Sequence, residues 1–94
     1  EVKKPILQKH LTFDVYSDPG HGWMRVPRKL LTELGIAEKI TGYSYQRNEF
    51  VYLEEDSDLS KFVKTFREKG VEVKFREHNA NRESRIRQYA SYRP

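Results

Sequence analysis

The residues with the most chemical potential in this chain lie close together. Ser17-Asp18-Pro19-Gly20-His21-Gly22-Trp23 brings a carboxylate, an imidazole and the only tryptophan into one short stretch. Asp-Pro-Gly on its own reads as a tight turn: proline presets φ, and glycine accepts angles that other residues resist. Such a turn needs neither His21 nor Trp23, so both are candidate functional residues. Asp18 could orient the His21 imidazole for acid–base work, and the flanking glycines would let a ligand approach. A metal site would have to add His10 or His78, but no two histidines stand at ligand spacing. No phosphate loop, nucleophile elbow or HExxH motif is present. The plainer alternative makes His21 an exposed loop residue, or one bonded within its own loop.

Two groups of cations offer binding rather than catalysis. Arg25, Arg28 and Lys29 surround the expected start of a helix, where cations oppose the helix dipole and an anion would be welcome. Further on, Arg82, Arg85 and Arg87 alternate with Ile86, Tyr89 and Tyr92. Arginine pairs with phosphate or carboxylate, and tyrosine adds stacking area. If this tail is helical, Arg82 and Arg85 stand together at i, i+3, while Ile86 and Tyr89 dock it to the domain. In both groups the cations could equally be solvated surface charges.

These residues need a scaffold, and 94 residues suffice for one domain with its own core. Hydrophobic residues make up only 36% of the chain, but six tyrosines, five phenylalanines and the tryptophan raise the area available for burial. There is no cysteine, which excludes disulfides and thiolate chemistry and suits a reducing cytoplasm. No apolar run approaches the ~20 residues that span a bilayer, and the first residues do not read as a signal peptide. The net charge of +4 is uneven: Glu54-Glu55-Asp56-Ser57-Asp58 is acidic, while residues 76–94 carry five arginines against two glutamates. A basic tail favours nucleic acid or an acidic protein surface.

Periodicity predicts the elements. Residues 1–10 show no stable period and read as a mobile arm, leaving 11–94 as one domain that includes a basic tail at 76–94. Leu11, Phe13 and Val15 alternate as a strand, and Trp23–Val26 form the next. Pro27 opens a helix with Leu30, Leu31 and Leu34 on one face, ended by Gly35. A second hairpin places Tyr43, Tyr45, Phe50 and Tyr52 on one face, with Val51 and Leu53 on the other. The aromatic face is expected to be the core under the helices; exposed, it would be a platform for stacking bases. Asp56, Ser57 or Asp58 is expected to cap a helix bearing Leu59, Phe62, Val63 and Phe66 at i, i+3, i+4 and i+7, closed by Lys69 and Gly70. Val71, Val73 and Phe75 make a final strand. The resulting order, ββαββαβ plus a tail, predicts an α+β fold: a mainly antiparallel sheet with two helices on one face.

Tyr16-Ser17-Asp18-Pro19-Gly20-His21-Gly22-Trp23, Val26-Pro27, Tyr43-Ser44-Tyr45 and Tyr52-Leu53-Glu54-Glu55-Asp56 together resemble a family of small accessory proteins of tailed bacteriophages. The resemblance covers residues 11 to 93 and assigns no site residues. It implies a protein of the host cytoplasm that inhibits or modulates a host or defence component. The first expectation is therefore a non-enzymatic protein, without cofactor, metal or membrane, that binds an acidic host or defence-system protein stoichiometrically through His21, Trp23, Arg25, Arg28, Lys29, Arg82, Arg85 and Arg87. A nucleic-acid-binding module using the arginine-rich tail and tyrosine hairpin is the alternative. A small hydrolase or metal enzyme centred on His21 is the third.

Overall fold

The computed structural model describes residues 10–94. The predicted arm at 1–10 therefore lies outside the described residues except for His10, which begins a strand. The elements are β1 (His10–Ser17), β2 (Gly22–Pro27), α1 (Arg28–Glu33), β3 (Tyr45–Arg47), β4 (Phe50–Glu54), α2 (Asp58–Glu68), β5 (Glu72–Asn79) and β6 (Ala90–Ser91), with 3-10 turns at Ala37–Lys39 and Arg85–Gln88. They form an α+β fold with one six-stranded sheet, ordered β5-β1-β2-β4-β3-β6. Among the described residues every pairing is antiparallel except β1 with β5, which run parallel over eight residues. Among the described residues no helix is long and apolar enough to cross a membrane.

Both helices end as the sequence implies. Gly35 and Gly70 adopt φ of +75° and +79°, where a Cβ would be strained. Each leads a six-to-one bond back into its helix, Ile36 N–H to the Leu31 carbonyl and Val71 N–H to that of Phe66, and both Ile36 and Val71 are buried. This is the Schellman arrangement with its apolar contact. The start of α2 differs from expectation. Neither Asp56 nor Ser57 caps it; the Glu54 carboxylate instead accepts from the N–H groups of Asp56, Ser57 and Asp58. Asp58 turns inward with no exposure and accepts from Thr41 N–H and from the hydroxyls of Thr41 and Ser44.

Both helices cover the same face of the sheet. Met24, Val26, Val51, Leu53 and Val73 meet Leu31, Leu34, Phe62, Val63 and Phe66 in one core, with Leu11, Phe13, Val15, Leu30 and Leu59 partly buried against it. The Phe13 ring meets Phe62 edge-on at 5.2 Å. This corrects the expectation for the second hairpin: Val51 and Leu53 lie under the helices, while Tyr45, Phe50 and Tyr52 face the other way. Tyr43 is not in the strand at all and is 80% exposed. Alternation separated the two faces correctly, but the β2–β4 register sets Met24 beside Leu53 and Val26 beside Val51, which assigns the aliphatic face inward. The hairpin closes over Asn48 and Glu49, with Asn48 at φ 56°.

The face away from the helices has a smaller cover of its own. After β5, which runs on through His78 and Asn79 beyond the predicted strand, the tail crosses back and sets Ile86 against Trp23 and Tyr52 as a second cluster. Beyond it β6 pairs with β3, and Tyr92 enters the main core. The tail is thus one 3-10 turn and a short strand rather than a helix.

Candidate functional site

The Ser17–Trp23 segment is a receptacle for the tail. Asp18 Oδ1 accepts from the N–H groups of Gly20 and His21, both at 3.0 Å, which shapes the loop joining β1 to β2. Oδ2 accepts from Ser84 N–H at 2.8 Å and Arg87 Nε at 2.7 Å, and Arg87 Nη2 adds a second bond to Oδ1 at 2.9 Å. The result is a bidentate arginine–carboxylate pair with its remaining lone pairs used by backbone. Arg87, followed by the Ser84 amide, holds the Asp18 carboxyl far below the usual carboxylate range, and the same pair raises the Arg87 guanidinium above its ordinary value. Arg87 also lies over the Trp23 ring, 5.3 Å from its centroid. Ser84 caps the turn by accepting from Ile86 N–H.

This geometry corrects two expectations. Asp18 does not orient the His21 imidazole, because its oxygens are committed elsewhere. Arg87 does not stand outward with Arg82 and Arg85, because it is turned in to Asp18. Trp23 is buried at 2% exposure and floors the cluster. His21 is exposed, its ring near-parallel to Trp23 at 6.0 Å and its Nδ1 3.5 Å from Arg87 Nη2.

The predicted anion cluster at α1 is also divided. Arg25 lies on the open face of the sheet. Arg28 donates to the Arg93 carbonyl and to Gln46 Oε1, and its guanidinium rests over Tyr92. Lys29 is exposed on the helix side. The sheet separates Arg25 from the other two.

What the fold does assemble is an aromatic and cationic surface on the open face. The Arg25 guanidinium sits over Tyr16 at 5.7 Å and Phe50 at 4.9 Å and pairs with Asp14 at 3.2 Å. Asp14 also meets Arg76 at 3.3 Å and His78 Nε2 at 2.9 Å, and His78 stacks on Tyr16 at 4.9 Å. The His78 hydrogen bond, then the charges of Arg76 and Arg25, hold the Asp14 carboxyl below its ordinary value against the opposing effect of burial. Tyr52 and Tyr89 meet at 5.1 Å, and Arg47 lies over Tyr89 at 5.1 Å. Burial, with Tyr89 close by, raises the Tyr52 phenol.

Two depressions open here. One, of about 260 Å³, lies between the sheet and the tail and is lined by Tyr16, Arg25, Tyr52, Arg85, Ile86 and Tyr89, with Ser84. The other, of about 600 Å³, lies between the Gln46–Asn48 turn and the tail, with Arg47, Arg85 and Tyr89 in its wall. Arg85 and Tyr89 belong to both, so the depressions are neighbours across one tyrosine ring. Neither Arg47 nor Arg85 has a carboxylate partner among the described residues. Arg82 is exposed in the loop leading to the turn. The sequence does not single out Asp14, Tyr16 or Arg76; it offers His78 only as a metal ligand, Phe50 and Arg47 only as part of a stacking hairpin face, and Tyr89 only as stacking area in the tail. Asp14 and Tyr16 alternate with the apolar residues of β1, but only the parallel pairing sets Arg76 and His78 beside them.

Among the described residues no three His, Cys, Asp or Glu side chains gather where they could hold a metal ion. No family model, curated protein or solved structure matches the chain.

Proposed function

We propose that this chain is a stoichiometric binding protein without catalytic machinery, and that its open sheet face takes single-stranded nucleic acid. The observation that carries this reading is the pair of depressions divided by Tyr89, with Arg85 in both and Arg47 over the ring. A flexible strand presents a phosphate between successive bases, and a cation set between two base-sized hollows matches that repeat. Guanidinium planes such as those of Arg25 and Arg47 stack bases as aromatic rings do. The commitment of Asp18 to Arg87 and backbone amides supports the non-enzymatic part, since it removes the carboxylate that the sequence offers to orient His21.

A second reading uses the same arginines against an acidic surface of a host or defence protein in the host cytoplasm. The resemblance to phage accessory proteins favours it. The two readings diverge at Tyr89, because stacking of bases needs the ring and charge pairing does not.

The test is fluorescence anisotropy with labelled single-stranded and duplex oligonucleotides. The expected result is preference for the single strand, with Tyr89→Ala costing ~1–3 kcal/mol of affinity. Arg47→Glu with Arg85→Glu should weaken binding further and flatten the slope of log affinity against log salt by about 0.7 per lost phosphate contact. Arg82→Glu with Arg85→Glu should also weaken binding while the fold persists. Absence of oligonucleotide binding at low salt would reject this reading. An unchanged affinity of the Tyr89 variant would shift the assignment to the acidic-surface reading.

A further inference from the structure

We infer that the smaller depression on the open face selects guanine among the bases of a bound strand, and that Arg25 is the residue that reads it. The preference rests on the single-strand reading of this face and narrows it to one base at one place.

The two depressions differ in the hydrogen bonds they offer. Among the described residues no carboxylate or carboxamide side chain lines the smaller one. Its polar groups are the guanidiniums of Arg25 and Arg85, which only donate, and the hydroxyls of Ser84 and three tyrosines. Ser84 Oγ already accepts from Ile86 N–H at 3.1 Å, which leaves its proton to give. The larger depression has the carboxamides of Asn48 and Gln88 in its wall, and these both give and accept. Gln46 lines it as well, but its Oε1 is taken by Arg28 and by Arg93 N–H. A donor-rich hollow thus lies beside a tolerant one.

Donors select a base that presents acceptors. Adenine and cytosine carry an exocyclic amino group, which carboxamides or carboxylates read, and neither lines the smaller hollow. Thymine sets O4 beside a methyl group, so a guanidinium finds one acceptor there. Guanine sets O6 beside N7, and the edge of an arginine meets both with two parallel bonds.

Arg25 is the donor held in place. Its guanidinium lies over the rings of Tyr16 and Phe50, and Nη2 donates to Asp14 Oδ2 at 3.2 Å. That bond uses Nη2 alone, so the guanidinium keeps further N–H groups to give. Asp14, which Arg25 shares with Arg76 and His78, offsets part of its charge. Arg85 has no carboxylate partner among the described residues. The phosphate therefore falls to Arg85, and the edge of Arg25 is left for a neutral base. Ile86 and the tyrosine rings supply the apolar walls against which the base lies.

The experiment uses the full chain and labelled short oligothymidylates, read by anisotropy. The central position carries guanine, hypoxanthine, 7-deazaguanine, adenine, cytosine or thymine. Guanine should tighten binding by about tenfold over adenine, cytosine and thymine. Hypoxanthine keeps O6 and N7 and should match guanine. 7-Deazaguanine lacks N7 and should lose most of the gain. Arg25→Lys keeps a cation beside Asp14 without the planar fork, and should bind the guanine and thymine strands about equally. Should that variant fail to fold, the hypoxanthine and 7-deazaguanine strands carry the test on the parent protein. Equal affinity of the parent for all the strands overturns the preference and leaves the single-strand reading standing; absence of binding by every strand removes both. A preference that survives in Arg25→Lys, or that 7-deazaguanine retains, overturns the assignment to Arg25. Guanosine monophosphate binding as tightly as the guanine strand would overturn it too, in favour of a free nucleotide.

Discussion

Replacing Asp58 by alanine tests whether the first residue of α2 is a surface cap or an internal anchor. The side chain has no exposure, and its Oδ2 accepts from Thr41 N–H at 3.0 Å, Thr41 Oγ1 at 2.8 Å and Ser44 Oγ at 2.6 Å. Oδ1 receives the Lys61 ammonium at 3.1 Å. A hydrogen bond to a charged group contributes ~1.5–3 kcal/mol, but these do not sum. Lys61 is 37% exposed and keeps the Lys39 carbonyl, so it resolvates readily. Thr41 is half-buried and reaches water. Ser44 is fully buried and loses the acceptor of its hydroxyl, the only one among the described residues, while still accepting from Glu54 N–H. Leaving that hydroxyl orphaned, along with the weaker losses at Thr41 and Lys61, gives about 3 kcal/mol in all. With a urea dependence of ~1 kcal/mol per molar for a domain this small, the unfolding midpoint should fall by about 3 M. Ser44→Ala should cost ~1–2 kcal/mol, and the double variant should lose less than the sum, because one bond is shared. Ser44 also accepts from Tyr92 N–H through its carbonyl, so the tail should loosen with it. A loss of only ~1 kcal/mol for Asp58→Ala, the usual cost of a missing cap, together with additivity of the two variants, would refute the internal network.

Phe62→Ala removes a ring with no exposure that meets Phe13 and Phe66 edge-on, and should cost ~3–5 kcal/mol by denaturant unfolding; a protein as stable as the parent would place α2 elsewhere. Asp18 and Asp14 both have lowered folded-state pKa values. Their stabilisation is thus complete above the unfolded carboxyl pKa of about 3.9 and is lost as pH falls through the folded value. Trp23 emission, which reports the docked tail, should hold as pH drops to about 4 and shift red only in stronger acid; a red shift at higher pH would argue against the clasp. Asp18→Asn should shift it at neutral pH. His21→Ala should leave stability unchanged within ~0.5 kcal/mol, as for an exposed side chain that has no carboxylate partner among the described residues; a larger loss would make His21 part of the clasp.

The two helices and their C-terminal ends were legible in the sequence because their signals are local, whereas the start of α2 was not, because Glu54 rather than Asp56, Ser57 or Asp58 takes its first amides. Leu59, Phe62, Val63 and Phe66 repeat at helical spacing, and Gly35 and Gly70 stand where only a left-handed residue completes the cap. Period-two alternation likewise separated the faces of β1 and of the second hairpin. It could not say which hairpin face was inward, because both were apolar and the choice lay in the register with β2. Nor could it pair β1 with β5, whose contacts span some sixty residues of chain and carry no turn signal. The same distance hid the site. Asp18 and Arg87 are 69 residues apart, and nothing in either neighbourhood marks the other as its partner. Asp-Pro-Gly announced a turn, but the use of its carboxylate was decided when Ile86 found shelter on Trp23 and Tyr52 and carried Arg87 within reach. Composition supplied arginines and tyrosines, and only tertiary packing decided which arginines were spent inside and which were left to face a ligand.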